Sequence, residues 1–164
     1  MTTATIYLAE LEQEAAKTKR ILERIPADKL TWKPHEKSMT LGRLGMHIAE
    51  LPNWIKSTVE TEGFDFAKSA YKPLVPDTKE QILEQFERSL TTGVETLSKV
   101  TEDELRVTWK ATRGEQVVFA LPRSGMIRNN LSHIIHHRGQ LSVYLRLLGV
   151  PLPNLYGPTA DERS

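Results

Sequence analysis

The sequence predicts an all-α protein: a four-helix bundle with one long crossover connection and a small β-hairpin between helices 3 and 4. Four stretches of the 164-residue chain repeat apolar residues every three or four positions, which is the period of a helix buried on one face. One shorter stretch alternates apolar and polar residues, as half-buried strands do. No internal repeat or linker divides the chain, so residues 1–164 are expected to form a single domain.

The first two helices are delimited by proline and by capping residues. The first ends at Pro26, and its apolar stripe consists of Leu8, Leu11, Ala15, Thr18, Leu22 and Ile25. The second begins after Ser38 or Thr40, either of which can cap it, and its stripe continues to Val59. Pro52 interrupts this stripe, which predicts a kink or a break in the second helix.

The third helix opens with "TKEQ", in which Thr78 and Gln81 have the spacing of a capping box. Residues 64–77 before it show no periodicity, and we interpret them as the long connection from the second helix. After the third helix, "RVTWKAT" and "QVVFALP" alternate apolar and polar residues on either side of "RGE". This pattern predicts the hairpin.

Composition excludes several classes of function. The net charge of +1, from 22 basic and 21 acidic residues, gives no general attraction for nucleic acids or acidic membranes. No apolar run approaches the roughly 20 residues that cross a bilayer, and no secretory signal is recognisable, so we expect a cytoplasmic protein. The chain has no cysteine, which excludes disulfides and thiolate ligands. Any thiol chemistry must therefore use a thiol from outside the protein.

The fourth helix, from about Ser124 to Leu148, contains three of the five histidines in the segment "SHIIHHRGQL". On a helical wheel centred on Ile134, His133 and His137 fall on one flank of the apolar face, whereas His136 points away. Histidines four residues apart stack one turn from each other and can place two imidazole nitrogens on one ion.

His47 is the natural third ligand, because it lies on the buried stripe of the second helix, where an imidazole requires a partner. Three histidines from two helices, with positions left open to water, are typical of an open site for a divalent ion. The alternative is that these are ordinary surface or core histidines bonded to carbonyl groups. His35, in a loop, is expected to be exposed to solvent.

Two segments carry a family resemblance: "LTWKPHEKSMTLGRLGMHIAELPNW" and "NNLSHIIHHRGQLSVYLRLLGVPLPNLYG", the second with an HxxxHRGQ pattern. They resemble the DinB-like (DinB/YfiT) family of metal-dependent enzymes over essentially the whole chain. The resemblance places the metal ligands on His47, His133 and His137. It also implies a divalent metal, most commonly zinc or nickel, and a homodimer.

Other residues near the histidines receive subsidiary roles. Gln140 falls on the flank of His133 and is expected to bond a ligand or a bound water. Asn130 and Tyr144 are candidates for the pocket wall, with packing as the alternative for Tyr144. Arg138 is expected to make an ion pair or a dimer contact. The three tryptophans are expected to pack in the core, with an aromatic lid formed by Trp54, or by Trp109 and Phe119, as the alternative.

The resemblance relates the chain to S-transferases that use a low-molecular-weight thiol such as bacillithiol or mycothiol. We therefore expect a metal-dependent transferase that joins a thiol to a small electrophile in detoxification or stress response. One alternative is a metal-dependent hydrolase, in which Glu50, the closest carboxylate in the sequence, would act as the general base. The alternative for Glu50 itself is that its side chain is simply exposed to solvent. The other alternative function is that of a metal-binding protein without catalytic turnover.

Overall fold

The computed structural model, which describes residues 1–163, contains the four predicted helical stretches, arranged as a four-helix bundle. The helices are α1 (Thr3–Leu22), α2 (Leu41–Glu50), α3 (Trp54–Glu60), α4 (Lys79–Lys99), α5 (Glu102–Arg106) and α6 (Arg123–Leu147). The strands are β1 (Gly63–Asp65), β2 (Thr108–Arg113) and β3 (Gln116–Pro122). None of the helices in the described part of the chain is long and apolar enough to cross a lipid bilayer.

The predicted second helix is broken into α2 and α3, as its proline indicated. Thr40 caps α2: its side chain accepts a hydrogen bond from the backbone N–H of Arg43 at 3.2 Å. A single 3-10 turn, Leu51–Asn53, separates the two helices and contains Pro52 near its start. Because proline has no backbone N–H to continue the helical ladder, the α-helical hydrogen bonding is interrupted here.

The start of α4 is only half a capping box. Thr78 accepts a hydrogen bond from the backbone N–H of Gln81 at 3.3 Å, as predicted. The Gln81 side chain, however, accepts from the backbone N–H of Asp77 at 2.7 Å rather than from that of Thr78. The complete capping box belongs to the short helix α5, which was not predicted, and it joins Thr101 to Glu104.

The predicted hairpin is present, but it is part of a three-stranded sheet in the order β1-β2-β3. Strands β2 and β3 pair antiparallel, and Gly114 in their turn has φ +61°. The interpretation of residues 64–77 as a connection without regular structure was wrong at its beginning, because β1 pairs in parallel with β2. A Cβ atom on Gly63 would lie 2.2 Å from the Lys110 carbonyl oxygen, so this pairing requires glycine.

Helix α6 packs against α1, α2 and α3, and a buried ion pair fixes it against α1. The Arg138 side chain is 2% exposed and forms this pair with Glu14. It also donates to the Glu14 carbonyl oxygen at 3.0 Å and to the Thr18 hydroxyl at 3.1 Å. Tyr156, from the C-terminal segment, bonds to both members of the pair. The ion pair expected for Arg138 is confirmed.

Helix α4 packs closely against the break between α2 and α3. A Cβ atom on Gly93 would lie 2.9 Å from the Pro52 carbonyl oxygen, which is backbone and has little freedom to move. We expect Gly93→Ala to lower the free energy of unfolding by about 1–2 kcal/mol, because the added methyl group overpacks this contact. Urea denaturation followed by circular dichroism measures the change.

Gly139→Ala is the matched control, since Gly139 also lies inside a helix but a Cβ atom there would have no neighbour within 4 Å. This substitution should raise the free energy of unfolding by about 0.5–1 kcal/mol through helix propensity alone. Equal changes in the free energy of unfolding for Gly93→Ala and Gly139→Ala would show that α4 does not pack tightly against the break between α2 and α3.

Candidate metal centre

Three histidines from two helices converge in the bundle. His47 lies on α2, and His133 and His137 lie on α6. One nitrogen of each imidazole lies within 4.8 Å of the corresponding nitrogens of the other two. The ring centroid of His47 lies 5.2 Å from that of His133 and 4.6 Å from that of His137. The three side chains thus form a group with the spacing that a metal ion requires.

The two histidines of α6 face each other through their Nε2 atoms, which are 2.8 Å apart. Gln140 Oε1 lies 2.7 Å from His137 Nδ1 and can only accept a hydrogen bond, so Nδ1 carries the proton. This places the lone pair of His137 on Nε2, where it accepts a hydrogen bond from Nε2 of His133. Two zinc–nitrogen bonds in tetrahedral geometry would separate the nitrogens by about 3.3 Å, so a small opening of the pair admits an ion.

His47 has a nitrogen that the protein does not satisfy. Its Nδ1 atom is buried and has no hydrogen-bond partner within residues 1–163. Buried polar atoms in proteins are nearly always paired, and an unpaired one in a cluster of donors indicates an ion or a water. The donor set and this orphaned nitrogen together fit a divalent ion.

The imidazoles of the group are held in the neutral form that metal ligation needs. Burial lowers the pKa of His47 to about 3, and the neighbouring histidines and the Arg43 charge add to this shift. Burial likewise lowers the pKa of His133 to about 4. The pKa of His137 is also lowered, mainly by burial, although its hydrogen bond to Gln140 opposes the shift. All three side chains therefore keep a free lone pair at neutral pH.

Trp54 forms one wall of the histidine group. Its ring meets the rings of His47 and His133 edge-on, with both centroid distances at 5.7 Å. Trp109 instead packs beside Phe119 at 6.3 Å and donates a hydrogen bond to Thr61. Of the two tryptophans considered as a lid, Trp54 is the one in contact with the site.

Asn130 and Tyr144, the two candidates for the pocket wall, make hydrogen bonds between elements. Asn130 is buried and donates from Nδ2 to the Thr58 hydroxyl on α3 at 3.4 Å. Tyr144 donates to the Met39 carbonyl oxygen at 3.3 Å, and its ring meets Trp32 edge-on at 5.8 Å. These contacts fit the packing role considered for Tyr144, and the pocket role of both residues stays a prediction.

The remaining two histidines do not join the group. His136 is exposed, with its ring centroid 5.0 Å from that of His137 on the outer side of α6. His35 is exposed in its loop, and its Nδ1 accepts a hydrogen bond from the backbone N–H of Lys37 at 3.1 Å. Both positions follow the sequence prediction.

Glu50 is not solvated, and one of its oxygens is already hydrogen-bonded. It is 7% exposed, and its Oε2 atom accepts hydrogen bonds from Arg43 at 3.2 Å and from the Tyr71 hydroxyl at 3.0 Å. Sequence reasoning missed both partners. The spacing on α2 could have indicated Arg43, because Arg43, His47 and Glu50 follow one another at four and three residues and so share a helix face. Tyr71 lies in the aperiodic connection, where no pattern indicates its position.

Two surface hollows lie away from the histidines. A cleft of about 250 Å³ between α3 and α4 is lined by residues such as Lys56 and Thr92, and one of about 310 Å³ lies under the C-terminal segment near Tyr156. No site histidine lines either one. Convergent donor atoms, rather than cavity size, therefore identify the candidate site.

Comparison with known proteins agrees with the fold. The protein YrdA of Bacillus subtilis strain 168 is 25% identical over 159 residues, which cover 95% of this chain and 89% of the relative. A DinB-like protein from Bacillus cereus has a crystal structure with a TM-score of 0.70 and 25% identity, covering 92% of this chain and 95% of that one.

A more distant structure shares the fold alone. YfiT from Bacillus subtilis, described as a probable metal-dependent hydrolase with an unusual four-helix bundle topology, has a TM-score of 0.67 at 13% identity. The alignment covers 89% of this chain and 87% of YfiT. The model of the DinB family itself matches residues 1–163. The chain therefore belongs to the DinB family.

Proposed function

We propose that this protein is a metal-dependent enzyme in which His47, His133 and His137 bind a divalent ion, most commonly zinc or nickel. The observation that carries the proposal is the convergence of three neutral imidazoles, one with a buried and unpaired nitrogen. Three protein ligands leave a fourth position open, which is the arrangement of catalytic rather than structural sites. A closed site without turnover is disfavoured for this reason.

We further propose that the reaction is the transfer of a low-molecular-weight thiol, such as bacillithiol or mycothiol, to a small electrophile in detoxification or stress response. A divalent ion supplies Lewis acidity that lowers the pKa of a thiol enough to form a thiolate at neutral pH. The chain has no cysteine, so the sulfur nucleophile must come from outside. A cytoplasmic location and the homodimer typical of the family belong to the same proposal.

The protein's own residues prepare the site for this chemistry. Gln140 fixes the tautomer of His137 and so directs its Nε2 lone pair inward. Trp54 covers the edges of His47 and His133, which limits access of water from its side. The fixed geometry means that the ligands need little reorganisation on binding.

Metal-dependent hydrolysis is the second candidate, and the description of YfiT favours it. Hydrolysis commonly needs a carboxylate to take a proton from water. One oxygen of Glu50, the carboxylate considered for this task, already accepts hydrogen bonds from Arg43 and Tyr71. We therefore rank hydrolysis below thiol transfer.

The metal content of untagged protein tests the site directly. Wild-type protein should contain near-stoichiometric metal by elemental mass spectrometry, and both His47→Ala and His133→Ala should lose it, because two remaining ligands bind weakly. His35→Ala, at an exposed loop histidine, is the matched control and should keep its metal. Wild-type protein that is isolated empty and takes up no zinc, nickel or manganese would refute the site.

The pH dependence of metal-free protein tests the neutral state of the histidines. An unfolded histidine binds a proton near pH 6.5, whereas folded His47 and His133 do so only near pH 3 and 4. The stability that these residues contribute is therefore complete above about pH 6.5 and is lost as the pH falls below it. We expect the urea midpoint to fall between pH 7.5 and pH 5.

A double variant identifies the source of this loss. His47→Gln/His133→Gln should flatten the fall in the urea midpoint over this range, because glutamine does not titrate. His35→Gln should retain the wild-type slope. Identical slopes in the wild type and the double variant would mean that the two histidines are as easily protonated in the fold as in the unfolded chain.

Catalysis is tested with a thiol and a fluorogenic electrophile. Metal-loaded protein should accelerate conjugation of a small cellular thiol to monochlorobimane. In a separate metal titration, Gln140→Leu should weaken metal affinity by about 10–100-fold, because the orientation of His137 is lost. If no thiol is conjugated faster than without protein, thiol transfer is wrong. Ester or amide hydrolysis without thiol that disappears in Glu50→Gln would establish the hydrolase instead.

A further inference from the structure

A second polar group adjoins the histidines on α2. Arg43 precedes His47 by four residues and Glu50 follows it by three, so the three side chains lie on one face of the helix. Tyr71, from the connection between β1 and α4, reaches the same group through its hydroxyl. None of these three side chains has a role in ligating the ion.

The Arg43 guanidinium is held in a fixed position. Its Nη1 atom donates to Glu50 Oε2 at 3.2 Å, and its Nη2 atom donates to the Tyr71 hydroxyl at 2.9 Å. The Tyr71 hydroxyl in turn donates to Glu50 Oε2 at 3.0 Å. The side chains of Arg43 and Glu50 are only 14% and 9% exposed, so the ion pair is largely desolvated. Such pairs have much firmer geometry than exposed ones.

Arg43 nevertheless keeps capacity to bind a ligand. A guanidinium has five N–H donors, and within residues 1–163 that of Arg43 donates only two hydrogen bonds. Its positive charge also reaches the histidines, since it contributes to lowering the pKa of both His47 and His137. A fixed cation with spare donors beside a metal site is suited to a planar anion.

We infer that Arg43 binds a carboxylate of the small molecule that enters the histidine site, with Glu50 and Tyr71 as positioning residues. The inference rests on the proposed function, because it takes the ion to be the point at which that molecule is held. A carboxylate matches the remaining N–H donors in shape and charge. Glu50, on the same guanidinium, disfavours a dianion such as phosphate more strongly than a single negative charge. The carboxylate belongs either to the thiol or to the electrophile.

The test uses cobalt-loaded protein, whose visible spectrum reports ligands that reach the ion without requiring turnover. Affinities are compared for 3-mercaptopropionate and its uncharged analogue 3-mercapto-1-propanol. Wild-type protein should prefer the carboxylate by about tenfold or more, the value of a charge-assisted hydrogen bond. In Arg43→Gln this preference should fall by about tenfold. Arg43→Lys should retain part of it, because lysine keeps the charge but loses the planar, two-pronged donor geometry.

Arg106→Gln is the matched control, since the Arg106 side chain is 76% exposed on α5. It should keep the wild-type preference. Cobalt content and thermal unfolding of each variant report on the integrity of the fold, and the preference is a ratio of two affinities in the same variant. A purely structural role of Arg43 would change both affinities together and leave the ratio intact.

A second arm asks whether the carboxylate belongs to the electrophile. With 3-mercapto-1-propanol as the thiol, conjugation rates are compared for iodoacetate and iodoacetamide, which differ in the carboxylate. A change of the rate ratio in Arg43→Gln assigns the carboxylate to the electrophile, and a change of the affinity ratio in the first arm assigns it to the thiol. If neither ratio changes, the inference is wrong.

Failure of the proposed function gives a different pattern. Protein that takes up no cobalt refutes the metal site and the inference with it. If the protein takes up cobalt but neither thiol changes the cobalt spectrum, thiol transfer alone is refuted. In that case, acetate and acetamide are compared on the same cobalt spectrum. Loss of the acetate preference in Arg43→Gln then supports the inference, and equal binding of both in the wild type overturns it.

Discussion

The buried ion pair between Arg138 and Glu14 is the constraint on which the geometry of the site depends. Arg138 directly follows His137, so whatever fixes the guanidinium also fixes the rotation and height of that histidine on α6. Rotating α6 or shifting it by one residue would leave a buried charge unpaired, which costs about 3–5 kcal/mol. Because Thr18 and Tyr156 complete the hydrogen bonds of the guanidinium, the helix has one favourable position against α1.

The break at Pro52 supplies the other half of the site. Helix α2 ends three residues after His47, and α3 begins with Trp54 after a single 3-10 turn. Trp54 is the first residue of α3, and its ring meets the rings of both His47 and His133. The close approach of Gly93 to the Pro52 carbonyl group supports the chain where the proline interrupts the helical hydrogen bonds. The aromatic wall therefore begins directly after the break, on the first turn of α3.

Local patterns predicted most of the fold and the three histidines, but they did not predict features made by distant contacts. The wheel placed His133 and His137 on one flank because both belong to one helix, whose angular spacing is known. Strand β1 has only three residues, and each pairs with a residue of β2 that lies 47 positions later in the chain. The Tyr71 hydroxyl donates a hydrogen bond to Glu50, and nothing in the aperiodic connection indicates where that tyrosine goes.

Charge balance connects the histidine group to its neighbours. Three neutral imidazoles leave both charges of a divalent ion uncompensated, and the Arg43 charge is offset by Glu50 alone. The same burial that lowers the pKa of the histidines strengthens attraction between the ion and any anion that enters. In the function proposed above, a thiolate would offset one of these charges, and a carboxylate held by Arg43 would offset the other. With an ion bound, the composition of the site would thus favour anionic ligands over neutral ones.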